Sequence, residues 1–207
     1  MSKYFTLFFL LIYILNSCAQ EIKNNDIIFV GQTIEEAINF ENSIKSNYQK
    51  GFATIVLSSK IYPFVGKYEL NNPKEFSRII PEQIPGNVEY FYDKNSREIK
   101  YVTYQWAFIN KVDDDTLFNR TKLREMVAKE CEQLQVYAQL FLDLEKLITT
   151  KYSEKDKSVV ENLPKKKLIE WEDAKTKGVL KLEFQDCINE TKLLPGWFIV
   201  SFIEYSK

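Results

Sequence analysis

Glu170 and Glu172 stand two apart in the run LIEWED, with Trp171 between them. Successive side chains on a strand point to opposite faces, so this spacing puts both carboxylates on one side and the indole on the other. Two acids a substrate's width apart are what glycoside hydrolysis requires. The same spacing equally suits an amphipathic strand with Trp171 in the core and both glutamates in water. Asp113, Asp114 and Asp115 offer oxygen ligands of the kind calcium takes, but no loop with a spaced glycine and a distal glutamate follows them. Acids just ahead of a helix also serve as caps and dipole partners. Ser58-Ser59-Lys60 is the nearest serine–lysine neighbourhood, and it lacks the Ser-x-x-Lys spacing of a serine nucleophile.

Composition removes whole classes of chemistry. The 207 residues contain no histidine, which excludes Ser-His-Asp and Cys-His nucleophile systems, histidine proton relays and histidine-ligated zinc. Neither GxGxxG nor GxxxxGK[ST] occurs, so the usual phosphate-cradling loops are missing. The formal net charge is −1 and neither half is strongly basic, so nucleic acid is not an expected partner. The reading leans away from an enzyme, with no cofactor and no metal site expected. A carboxylate-dependent hydrolase stays open as an alternative.

Two further groups could carry function. Tyr90, Tyr92, Tyr101, Tyr104 and Trp106 form an aromatic row that could stack on sugars or peptides if a sheet face is open, or pack as cross-strand pairs in the core. Cys131 and Cys187 could pair as a disulfide in an oxidising setting, closing a loop for about 4 kcal/mol in the chain-entropy model. They could equally be two buried free thiols.

The elements that must position these residues follow from periodicity. DIIFVG reads as a short first strand ending at Gly31. Thr33 with Glu36 three residues later is a capping box, opening a helix that runs to Lys50 with Ile34, Ala37, Ile38, Phe40 and Ile44 on its apolar face. FATIVLSS reads as a buried strand. An edge strand and an irregular excursion follow, with Pro81, Pro85 and Gly86 marking a turn. NVEYFYD and EIKYVTYQWAFIN form a hairpin around KNSR; Val102, Tyr104, Trp106 and Phe108 share one face, and Tyr101, Thr103, Gln105 and Ala107 the other.

From about Thr116 to Lys151, Leu123, Val127, Cys131, Leu134, Tyr137, Phe141, Leu144 and Ile148 recur at intervals of three and four, which predicts one long amphipathic helix. A charged connector follows. LIEWED and VLKLEF then form a second hairpin with Gly178 at a positive φ, and GWFIVSFIEYSK, apolar on both faces, reads as a central strand. Each half places strands after a helix, without matching residues at a fixed period. The fold class expected is α+β: a mainly antiparallel sheet packed by one long amphipathic helix and one shorter one.

The N-terminus supplies the localisation. Lys3 precedes an apolar run from Tyr4 to Leu15, too short to span a bilayer and ended by Asn16 and Ser17. Leu15-Asn16-Ser17-Cys18 resembles the bacterial lipobox. That resemblance implies a signal peptide over residues 1–17, cleavage before Cys18, lipidation of Cys18 by diacylglycerol and an acyl chain on its amino group. Several acyl chains anchor a protein stably. A tether over 18–25 and a single α+β domain over 26–207 complete the expected organisation. The expectation is a lipoprotein of the bacterial cell envelope, at the outer membrane, with a non-catalytic binding or structural role. Its expected partners are the membrane through the anchor and another envelope protein or glycan. The alternative processing, after Ala19 by a general signal peptidase, would give a soluble periplasmic or secreted protein. Intact mass of the protein purified from its own host separates the two. The lipoprotein reading expects a chain starting at Cys18 plus three acyl chains, and a lipid-free chain starting at Gln20 would overturn it.

Overall fold

The computed structural model describes residues 27–49, 57–79, 84–107, 119, 121–122, 125–126, 134–163, 166–184 and 198–207. Cys18, Asp113–Asp115, Cys131 and Cys187 lie outside the described residues.

Helix α1 spans Ile34–Ser43 and starts as its sequence predicts. The Thr33 hydroxyl accepts from the Glu36 amide (3.3 Å), and the Glu36 carboxylate accepts from the Thr33 and Gln32 amides (3.0 and 2.9 Å). It stops seven residues before the expected Lys50. Lys45 takes a left-handed φ of 58°, its amide donates to the Asn42 carbonyl, and the Ser46 amide donates to the Glu41 carbonyl. Those two bonds are a Schellman stop, usually signalled by glycine at the left-handed position. Here a lysine fills it, and the signal is invisible in the sequence. The chain enters β1 (Asn47–Gln49) at once.

The segment before α1 is not a strand. Ile27 to Gly31 run through a turn and bend, with Ile27, Ile28 and Phe29 buried. Their apolar character serves insertion into the core, not a ladder. Likewise, the described end of FATIVLSS, Leu57 to Ser59, is not strand, and residues 57–68 are largely turns. The irregular excursion thus comes first, and strand β2 (Lys74–Ile79) stands where the excursion was expected. Pro85 and Gly86, read as turn residues, open β3 (Pro85–Tyr92), and Pro81 lies outside the described residues. Gly86 lies within β3, where a Cβ would sit 2.7 Å from two atoms of the Trp106 indole. Only glycine admits that ring.

Strand β4 (Ile99–Ala107) completes the expected first hairpin, with Val88 opposite Tyr104 and a register shift between Phe91 and Tyr92. Helix α2 is described over Leu134–Tyr152, and Thr121, Lys122, Glu125 and Met126 are also helical. It buries Tyr137, Phe141, Leu144 and Ile148 of the predicted stripe, with Leu140 beside them, while Leu123, Val127 and Cys131 lie outside the described residues. Among the described residues no helix is long and apolar enough to cross a membrane. The charged connector contains a strand, β5 (Lys157–Leu163), whose outer position tolerates polar residues. The second hairpin is β6 (Lys166–Glu172) and β7 (Thr176–Phe184). Gly178 sits inside β7 with no positive φ, and a Cβ there would crowd Phe202 at 3.1 Å and Tyr152 at 3.2 Å. Close packing, not turn geometry, explains it.

Strand β8 (Phe198–Ser206) inserts between β4 and β7. The order is β1-β2-β3-β4-β8-β7-β6-β5, antiparallel throughout. Two four-stranded meanders, each following a helix, therefore meet at one seam, where Tyr104 faces Phe202. Both helices pack on the same face over one shared core. Part of the other face is covered by residues 57–70, which place Leu57 and Tyr62 against Phe91 and Tyr101, with Ile203 and Tyr205 beside them.

The register puts Glu75 directly opposite Glu89 on that second face. Burial, with the nearby Glu75 charge, raises the Glu89 pKa above its ordinary value. A carboxyl with a raised folded pKa weakens the fold once it ionises, and the penalty vanishes below its unfolded value. Glu89→Gln should therefore stabilise the protein at pH 7 by about 0.2–1 kcal/mol, the scale of cross-strand pairs. Urea unfolding at pH 7 and at pH 3.5 (about one unit below an ordinary glutamate's pKa) should show that gain shrinking at the lower pH. An equal gain at both would rule out charge repulsion as its source.

Candidate functional site

The aromatic row is not an open platform. Tyr90, Tyr92, Tyr101, Tyr104 and Trp106 are each at most 3% exposed. Tyr90, Tyr104 and Trp106 lie under the helices, Tyr104 stacked on Trp106 with ring centroids 5.9 Å apart. Tyr101 lies under residues 57–70 on the opposite face. Tyr90, Tyr104 and Trp106 pack on one another and Tyr101 packs on Tyr62 and Phe91, so none of the five rings is presented to a ligand. Glu170 and Glu172 do share a face opposite the buried Trp171. Lys177 lies 2.8 Å from Glu170 and 3.8 Å from Glu172, and Lys207 is 2.7 Å from Glu172. Lys207 also holds the Glu172 carboxyl below its ordinary pKa. Ser58 and Ser59 are exposed in a turn, where the Ser58 carbonyl accepts from the Ile61 and Tyr62 amides.

One charged cluster is closed to solvent. Glu41 of α1 is 0% exposed and Arg78 of β2 is 4% exposed. Arg78 Nε donates to Glu41 Oε2 at 2.8 Å, Nη2 donates to Glu41 Oε1 and to the Tyr90 hydroxyl, and Nη1 donates to the Ile27 carbonyl at 2.7 Å. Tyr90 and Ser46 hydroxyls each donate to Glu41 at 2.6 Å. Burial raises the Tyr90 hydroxyl well above its ordinary range, so it stays a neutral donor. The guanidinium lies over the Phe40 and Tyr104 rings at 5.4 and 5.3 Å. Every arm is satisfied within the protein, and no substrate could reach it. Its role is structural.

The accessible site is a half-open cleft of about 440 Å³ at the end of the sheet where β4 and β7 begin and β8 ends. Phe29, Ile99 and Val102 contribute its apolar surface. The segment 27–33 reaches it because the Phe29 amide donates to the Tyr104 hydroxyl (3.1 Å) and Thr33 bridges Glu98. Four lysines and two glutamates supply the charge: Lys100, Lys151, Lys175 and Lys207 against Glu98 and Glu204. Register explains Glu204: it lies opposite Val102 of β4 and Gly178 of β7, near the end of α2, where Lys151 binds both carboxylate oxygens at 2.7 and 2.6 Å. Glu98 pairs with Lys100, whose ammonium lies 4.6 Å over the Tyr68 ring.

Lys175 is held by the hairpin turn. The Asp173 carboxylate accepts from the Lys175 and Thr176 amides at 2.6 and 2.7 Å, leaving the Lys175 side chain exposed. Among the described residues no ion pair engages it. No carboxylate in the cleft stands free to act as a base, and the described residues contain no group of three acids or cysteines able to hold a metal. Sequence reasoning missed this cleft because its lysines come from four separate elements and share no spacing. No family model matches this chain, and no curated protein or solved structure does either, so the geometry of the cleft carries the functional reading.

Proposed function

We propose that this chain is an exported, lipid-anchored envelope protein whose α+β domain binds a ligand without catalysis, using the lysine-rimmed cleft. One observation carries the reading: the cleft has the size of a small-molecule site, and both carboxylates within it are already paired with lysines. That arrangement favours holding a ligand over transforming it.

An anchor at Cys18 would also set where the cleft sits. Phe29, Gly31 and Gln32 contribute to its wall, and nine residues from Cys18 to Ile27 reach at most about 30 Å when extended. A ligand in the cleft would be held close to the membrane that carries the lipid.

The test is native mass spectrometry of the protein purified from its own host. The reading expects a non-covalent small-molecule adduct that disappears in Ala174→Trp, which fills the cleft from an exposed turn position. The thermal midpoint should stay unchanged. An adduct retained by Ala174→Trp, or absent from the parent, would place function elsewhere.

A further inference from the structure

We infer that the ligand of this cleft is a small anionic amphiphile, a phosphate or carboxylate head on an apolar body; this rests on the cleft being a ligand site at all. Three features select that class. The side chains lining the cleft carry two more positive than negative charges, four lysines against two glutamates. Three of the lysines are held by carboxylates: Lys100 by Glu98, Lys151 by Glu204 and Lys207 by Glu172. Lys175 alone among them has no ion pair within the described residues, and it projects from the rim.

Behind that cation the surface turns apolar. Phe29, Ile99 and Val102 are buried or half-buried beneath the opening. The Tyr68 and Tyr205 rings also line it, and both hydroxyl-bearing rings are amphipathic walls. The Tyr68 hydroxyl is already engaged, donating to the Lys207 carbonyl at 3.2 Å. A bare inorganic anion would leave this apolar surface wet, and a neutral apolar molecule would leave Lys175 without a counter-charge. An ion with a short alkyl body satisfies both.

The head group could belong to a membrane lipid or to a soluble metabolite, and the same experiment separates them. The exported chain carrying Cys18→Ser, which keeps acyl groups out of the assay, is titrated with inorganic phosphate, butyl phosphate, octyl phosphate, octyl glucoside and octylamine while its amide resonances are followed. Octyl phosphate should bind at the amides of Lys100 and Thr176 and bind tightest, with affinity rising by up to about fourfold per added methylene. Lys175→Glu should weaken it by about tenfold, the scale of a lost interfacial charge contact, and Lys175→Arg should restore it. Lys146→Glu changes the net charge equally on the exposed side of α2 and should leave affinity unchanged. Vesicles containing anionic phospholipid that capture the chain through Lys175 would assign the head group to the membrane. Octyl phosphate binding without vesicle capture would assign it to a soluble ligand.

If octyl glucoside or octylamine binds at least as well, or Lys146→Glu matches Lys175→Glu, the anionic class is overturned while the cleft remains a ligand site. If no probe moves a cleft resonance, both readings fall.

Discussion

A buried ion pair sets the geometry of the N-terminal half. Removing Glu41 and Arg78 from water costs several kcal/mol per charge, about as much as a whole domain's net stability can lose. The cost is met only because every donor of the guanidinium that points inward has an acceptor, and the carboxylate collects Tyr90 and Ser46 as well. The result ties α1, β2, β3 and the segment before α1 to one point. The same point closes α1: the Glu41 carbonyl receives the Ser46 amide in the stop that turns the chain into β1. Through Ile27 the pair also fixes how the N-terminal segment enters the core, and with it the Phe29 surface of the cleft.

The second half reaches the same architecture, with no buried charged side chain among its described residues. Its meander packs Ile169, Trp171, Leu180 and Leu182 under α2, and the indole N–H donates to the Thr149 hydroxyl at 3.2 Å. The mirrored strand order makes the halves topological counterparts, but their cores are held by different physics. That difference explains why no residue repeat is visible between them. Strand β8 then joins the two, and its last residues bring Glu204 and Lys207 to the cleft.

Some of this was legible in the sequence. Local rules read well: the Thr33 capping box, the first hairpin with the alternation of its second arm, and the stripe from Tyr137 to Ile148. Rules that depend on long-range packing did not. Gly86 and Gly178 looked like turn residues, yet each makes room for a ring from another strand. The aromatic row had the right alternation, but nothing local shows that both faces of those strands are covered. Strand β5 hid in a charged stretch because an edge strand needs little apolar surface. The cleft was the least legible feature, since its lysines meet only when four elements assemble, and the partner of Glu41 lies 37 positions away.

The claim that the buried pair positions the N-terminal segment can be tested in a protein that keeps its fold. The double substitution Glu41→Leu/Arg78→Met replaces the pair with apolar groups of similar length, an exchange that is often neutral for stability. Amide hydrogen exchange of that variant is the direct measurement. The account predicts that β3, β4 and β8 keep their protection, and that the Phe29 amide, which relies on the Tyr104 hydroxyl for its bond, exchanges much faster. Unchanged protection at Phe29 in a stably folded double variant would show that the segment is held by its other contacts and that the ion pair is not what places it.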